Sequence, residues 1–197
     1  MVSKGELRAR LRARRRQLTP AYAREVAQQI AAHLASTALW QSPVQLAAYL
    51  PGDGEVDTSV LLRRARTAGH GLHLPRLTGD SREFVPWSDE APLRPNRYGI
   101  GEPSGAAHLP SALDLILLPT VGWTLTGSRL GMGGGYYDRS LADMPALDID
   151  DRPLLVGLAY ACQQVEEDFA QPWDVRLDAI LTEDGLQVLN AAAEAAL

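Results

Sequence analysis

Five strand-length apolar runs constrain the fold of this chain more than any other feature. They occupy residues 44–50, 71–77, 113–118, 154–160 and 179–182. Each is largely apolar, as in strands buried on both faces, and helical patterns lie between them. The clearest helix has Tyr22, Val26, Ile30 and Leu34 at every fourth position, behind Thr19 as cap and Pro20 at its first turn. Residues 57–68 and 185–196 read as further helices, while the Pro- and Gly-rich stretch 78–112 reads as an irregular excursion. The alternation predicts an α/β fold with a mainly parallel sheet and helices on both faces. It forms one open domain over 1–197 with a cleft at the carboxyl ends of the strands. A chain of 197 residues can bury on the order of 70% of its unfolded surface, so this core needs neither disulfide nor structural metal. Cys162 is the only cysteine and reads as a small buried hydrophobe.

Charge is divided unevenly. Ser3-Lys4-Gly5-Glu6 has the form of a capping box, and a basic helix over residues 1–18 follows it, with Leu7, Leu11 and Leu18 on its apolar edge. Residues 1–20 carry seven cations against Glu6, which leaves the rest of the chain at −11 for an overall charge of −5. Of the 19 cationic residues only Lys4 is a lysine. Lys4 and Arg8 share a helical face, and with Arg12 and Arg15 they form a stripe that could meet a polyphosphate or simply be solvated. No run reaches the length of a membrane span and no signal peptide is evident, so the expectation is a cytoplasmic monomer without membrane or nucleic-acid partners. His33, His70, His73 and His108 lack the spacing of a helical metal pair, and none is given a role.

The segment richest in chemistry follows the third apolar run. In Gly127-Ser-Arg129-Leu-Gly131-Met132-Gly133-Gly134-Gly135-Tyr136-Tyr137-Asp138-Arg139 the glycines let backbone approach a ligand, and residues 136–142 can open a helix whose start favours anions. It lacks the Gly-Lys-Ser/Thr of a Walker A loop and fails the dinucleotide fingerprint. On its residues alone it is a phosphate cradle or a structural turn.

This segment resembles the signature of the 5-formyltetrahydrofolate cyclo-ligase family. Lys4-x-x-Leu7-Arg8, Tyr49-Leu50-Pro51 with Glu55-Val56-Asp57-Thr58, Tyr98-Gly99-Ile100-x-Glu102-Pro103, and Gln163, Asp174, Asp178 and Thr182-Glu183 match further blocks in family order. The resemblance implies ATP- and Mg²⁺-dependent closure of 5-formyltetrahydrofolate, possibly polyglutamylated, to 5,10-methenyltetrahydrofolate with release of ADP and phosphate. It implies ATP contacts from Lys4, Arg8, Arg129, Gly131, Gly133, Gly134, Gly135, Tyr137 and Asp138, with Arg129 and Lys4 acting in catalysis. Folate contacts would come from Leu50, Glu55, Met132, Gly134, Gly135 and Tyr136, and the metal would sit on Asp138 and Asp174.

Two positions depart from the family pattern. Thr124 stands where an acidic residue is usual, and Gly134 where some members carry a base. The first leaves a catalytically weak or inactive folate/ATP-binding relative as an alternative, and the basic first helix leaves a nucleic-acid binder as a lesser one.

Overall fold

The computed structural model describes residues 2–166 and 169–197. In chain order the elements are α1 (Lys4–Arg16), α2 (Pro20–Ala35), β1 (Gln45–Ala47), α3 (Ser59–Thr67), β2 (Gly71–Thr78), β3 (Ser81–Pro86), β4 (Arg94–Pro95) and β5 (Gly101–Glu102). There follow β6 (Leu115–Pro119), β7 (Gly122–Trp123), β8 (Arg129–Leu130), α4 (Tyr136–Ser140), β9 (Leu154–Leu158), β10 (Ala179–Thr182) and β11 (Gly185–Val188). Seven strands form one sheet in the order β11-β10-β9-β6-β1-β2-β3. The five predicted runs are its five central strands, all parallel, and the edge strands β3 and β11 are antiparallel.

Successive side chains on these strands enter two different cores. Leu46, Leu115, Leu117, Val156 and Leu181 pack with Val26, Ile30 and Leu34 of α2 and Leu61 and Leu62 of α3. Ala47, Ile116, Leu118, Leu155 and Ile180 face the other way, toward Tyr137 of α4, Leu141 and Met144. With both faces covered, a polar alternation could not have appeared in the sequence.

Helix α1 stands apart from the sheet. Its capping box forms as predicted, with Glu6 N–H donating to Ser3 Oγ at 3.2 Å and Ser3 N–H to Glu6 Oε2 at 2.9 Å. Leu7 and Leu11 pack on Val121, Leu130 and Val165, so α1 lies across the β7–β8 hairpin. A Cβ at Gly122 would come within 2.5 Å of Leu11 Cδ1. Glycine there lets the basic helix approach closely enough to reach the segment after β8.

Three sequence expectations are corrected. Residues 185–196 are not a helix: β11 pairs with β10, and only a 3-10 turn over Ala191–Ala193 follows. Alanine propensity is worth tenths of a kcal/mol per residue and yields to the open edge of β10, reached through Gly185 at φ +126°. The stretch 78–112 is less irregular than predicted, because Gly79 at φ +57° turns β2 back into β3 with Thr78 opposite Ser81. Cys162 is exposed rather than buried.

Candidate functional site

The glycine segment links β8 to α4 at the carboxyl edge of the sheet. Gly133 and Gly135 adopt φ +100° and +64°, conformations costly for other residues, and Gly135 caps α4. A Cβ at Gly134 would strike the Tyr136 ring at 2.6 Å. Arg8 of α1 reaches across and donates from Nε to the Gly131 carbonyl at 2.8 Å. Arg129 is 7% exposed and donates from Nη2 to Asp138 Oδ1 at 2.9 Å. Its Nε is buried and bonds nothing among the described residues. Asp174 Oδ2 accepts Lys4 Nζ at 2.7 Å and Gln171 N–H at 2.9 Å. The next residue, Val175, directs its N–H toward Asp138 Oδ1 at 3.4 Å. Lys4 and Asp174, 170 positions apart in sequence, thus meet beside the Arg129–Asp138 pair.

Residues 1–183 match the model of the 5-formyltetrahydrofolate cyclo-ligase family. The chain belongs to that family. It is 35% identical over 178 residues to the 5-formyltetrahydrofolate cyclo-ligase of Escherichia coli (strain K12), covering 87% of this chain and 96% of that one. The Haemophilus influenzae protein of the same name is 32% identical over 182 residues, covering 89% and 95%. The solved 5,10-methenyltetrahydrofolate synthetase of Aquifex aeolicus superposes with a TM-score of 0.81 at 31% identity, over 94% of this chain and 92% of that one. Members are ligases of folate metabolism, and this chain is an enzyme of that family with its α/β fold.

A second group of the expected site residues follows β1. The turn over residues 51–55 brings Glu55 round so that its Oε2 accepts Gly52 N–H at 2.9 Å. Burial raises the Glu55 carboxyl above the usual range, against the pull of that hydrogen bond and of the Arg15 and Arg82 charges. Leu50 packs at the edge of the first core. Met132 is exposed at the tip of the glycine segment, whereas Tyr137 is buried under it and its hydroxyl pushed up by burial. Tyr136 stands between these parts. The structure therefore gathers the polar residues expected at a nucleotide site around residues 129–138 and sets Glu55, Leu50 and Tyr136 on the neighbouring wall.

The basic stripe divides in a way the helical spacing did not reveal. Arg12 and Arg15 turn away from the glycine segment, and with Arg16 they converge on Asp53. Arg12 Nε and Arg15 Nη2 lie 2.7 and 3.0 Å from Asp53 Oδ2. Asp53 holds a left-handed φ of +49°, and the hydrogen bond from Arg12, with the charges of Arg16 and Arg15, holds its carboxyl well below the usual range. With Arg14 on the Cys162 carbonyl as well, much of this stripe is engaged with the protein's own acceptors.

Thr124 has a local explanation. Its Oγ1 accepts Ser128 N–H at 3.1 Å and lies 2.8 Å from Thr126 Oγ1, closing the β7–β8 turn. The hydroxyl caps that turn, which is work an acidic side chain could also do. Other matched residues are structural. Gln163 spans the Tyr160 N–H and the carbonyls of Thr120 and Val121, and Asp178 takes a bidentate pair from Arg152 at 2.7 Å on each arm.

A cavity of about 500 Å³ lies elsewhere, among Gln45, His70, His73, Trp87 and His108. His73 Nε2 and His108 Nδ1 sit 2.9 Å apart on its wall.

Proposed function

We propose that the protein closes 5-formyltetrahydrofolate to 5,10-methenyltetrahydrofolate, consuming ATP with Mg²⁺ and releasing ADP and phosphate. The observation that carries this reading is the convergence of Lys4, Arg8 and Arg129 on the glycine segment beside Asp138 and Asp174. Phosphoryl transfer needs little from a protein beyond positioning and charge stabilisation, and this donor set suits both.

In this reading Lys4, Arg8 and the backbone of Gly131, Gly133, Gly134 and Gly135 hold the triphosphate, with Tyr137 and Asp138 closing its far side. Arg129, whose planar fork is already fixed by Asp138, turns its unbonded Nε and neighbouring donors to the γ-phosphate. As the formyl oxygen attacks that phosphorus, Lys4 and Arg129 stabilise the charge on the transferring oxygens. Phosphorylation makes the formyl oxygen a leaving group, so N10 can close on the formyl carbon and expel phosphate. Leu50, Glu55, Met132, Gly134, Gly135 and Tyr136 line the folate, with Glu55 toward its pterin edge. Burial raises the Glu55 carboxyl, so it holds a proton there more readily than an exposed glutamate would.

Asp138 and Asp174 fit Mg²⁺ by chemistry. They are hard oxygen donors, and their ion pairs engage one oxygen of each. No cluster of three such ligand residues forms among the described residues, which suits a cation that arrives on phosphates rather than in a protein cage. When bound, the ion would neutralise phosphate charge; Asp138 and Asp174 would exchange cationic partners for it.

Purified protein incubated with 5-formyltetrahydrofolate, ATP and Mg²⁺ should form methenyltetrahydrofolate, followed by its absorbance, and omission of any one component should stop it. Asp174→Asn should lower turnover at least 100-fold with the thermal transition kept within a few degrees. Full turnover by that variant would remove Asp174 from the site, and a folded wild type that binds both ligands without product would favour the inactive relative.

A further inference from the structure

Arg15 is a buried cation that the reaction described above does not use. The residue is 3% exposed and its side chain not at all. Its Nη2 donates to the Asp53 carbonyl at 2.7 Å and to Asp53 Oδ2 at 3.0 Å, while Nε and Nη1 are buried without an acceptor among the described residues. Holding α1 in place does not require such a group. Leu7 and Leu11 already pack the helix on the β7–β8 hairpin, and Arg12 and Arg16 reach the same carboxylate from more exposed positions. An apolar side chain fills a buried position at lower cost than a charge with unmade hydrogen bonds.

The guanidinium lies against the turn that carries Glu55. That turn is closed twice, by Glu55 N–H to the Gly52 carbonyl and by Gly52 N–H to Glu55 Oε2, each at 2.9 Å. The Glu55 side chain therefore folds back over its own turn. A Cβ at Gly54 would lie 3.7 Å from Arg15 Nε, which puts the arginine beside the residue that precedes Glu55. The charged groups around Glu55 are Arg15 from α1, Arg82 from β3 and Asp53 of the same turn, and the buried hydroxyls of Tyr49 and Tyr137 lie near it as well. Burial favours the neutral acid, the Gly52 hydrogen bond and the two arginines oppose it, and Asp53 adds to it. Of these charges Arg15 acts most strongly.

We propose that Arg15 is the positioning residue for Glu55: it fixes the turn through Asp53 and sets a positive charge beside it, so that Glu55 meets the folate as a carboxylate. The proposal rests on the cyclo-ligase reading of the site. The pyrimidine edge of a reduced folate presents two donors side by side, a ring N–H and an amino group. An ionised carboxylate accepts both, whereas the acid spends one oxygen on its own proton. With no exposed side-chain surface, Arg15 touches no ligand and acts through Glu55. Because Lys4 and Arg8 lie on the same helix, one rigid element then places both the nucleotide donors and the folate acceptor.

The test follows kcat/KM for 5-formyltetrahydrofolate against pH in wild type, Arg15→Met, Arg15→Lys and Asp53→Asn, each checked for folding by its thermal transition. Protonation of Glu55 should give wild type an acid limb, which reports the free enzyme. Arg15→Met removes the charge and leaves Asp53 paired with Arg12 and Arg16. It should move the limb to higher pH and raise the folate KM about tenfold near pH 6, with the ATP KM within about twofold of wild type. Arg15→Lys keeps the charge and loses the fork, so its limb should stay in place with a smaller rise in KM. Asp53→Asn loosens the same clamp with the opposite electrostatic sign, and its limb should hold or move to lower pH. A purely structural clamp predicts that Arg15→Met and Asp53→Asn raise the folate KM alike at every pH. That result, or an unmoved limb in folded Arg15→Met, would overturn the proposal. If Arg15→Met does not fold, Arg15→Gln takes its place with the same expected shift. Calorimetric titration of 5-formyltetrahydrofolate without ATP gives a readout free of turnover: the affinity lost by Arg15→Met should be greater near pH 6 than near pH 8. If wild type binds the folate but makes no methenyl product, the cyclo-ligase reading fails while the titration still judges Arg15. A wild type that binds no folate overturns both.

Discussion

Asp53 shows how much one side chain can organise here. Three arginines of α1 end on its carboxylate, and Arg15 has no exposed side-chain surface. Asn tolerates the left-handed backbone of this position, so Asp53→Asn removes the charge with little change in the turn. It should cost about 1–2 kcal/mol, because Arg15 keeps the Asp53 carbonyl at 2.7 Å but loses its counter-charge, and solvent screens the exposed arms. The pH dependence has a definite sign. A carboxyl lowered in the folded state contributes stability above its unfolded pKa, about 4, and loses it as pH falls toward the lower folded value. The difference in melting temperature between wild type and Asp53→Asn should therefore shrink below about pH 4. Gly52-Asp53-Gly54 has the composition of a turn. That three cations meet there was not visible, since helical spacing places Arg12 and Arg15 on a face without saying what the face meets.

At the scale of elements, the β7–β8 hairpin carries the site. It holds α1 through Leu11 and Leu130 on one side and launches the glycine segment on the other. Thr124 closes its turn by hydroxyl bonds, and Gly127 lies at φ +81° where a Cβ would meet the Leu177 carbonyl at 2.8 Å. Thr124→Val keeps the shape and removes the hydroxyl, leaving the buried Ser128 N–H without that acceptor; stability should fall by about 1–3 kcal/mol in denaturant titration. Thr124→Asp restores an acceptor and should retain activity, measured in the cyclisation assay, if capping is the whole role of this position. A large gain in kcat for Thr124→Asp would instead give the acid a direct part in the reaction.

Across the whole molecule the two edges of the sheet do different work. The carboxyl edge presents residues 50–55, 120–138 and 160, whereas the Arg152–Asp178 pair ties the amino ends of β9 and β10, with Asp178 also accepting the N–H of Leu155. Asp178 is 2% exposed, and breaking such a pair from one side leaves a buried charge. Arg152→Met should cost about 3–5 kcal/mol by thermal or chemical unfolding, with the KM values for folate and ATP unchanged in the fraction that remains folded. A shift in either KM would show that this edge communicates with the site.

Local patterns in the sequence were enough for the five parallel strands, α1 to α3, the Ser3–Glu6 cap and the glycine segment, because each depends on residues a few positions apart. The edge strands were not legible in the same way. Strand β3 opens with three polar residues and ends at Pro86, and β11 leads into an alanine-rich segment that favours a helix when alone, so the neighbouring strand's unpaired backbone decides their state. The site divides along the same line. Family blocks gave Lys4, Arg8, Arg129, Asp138 and Asp174 as candidates, but their mutual distances follow from α1 crossing the β7–β8 hairpin at Gly122. The burial of Arg15 beside the Glu55 turn carries no local signature at all. Arg14, Arg15 and Arg16 are consecutive in α1, and what singles out the second of them is a long-range closure that only tertiary packing can make.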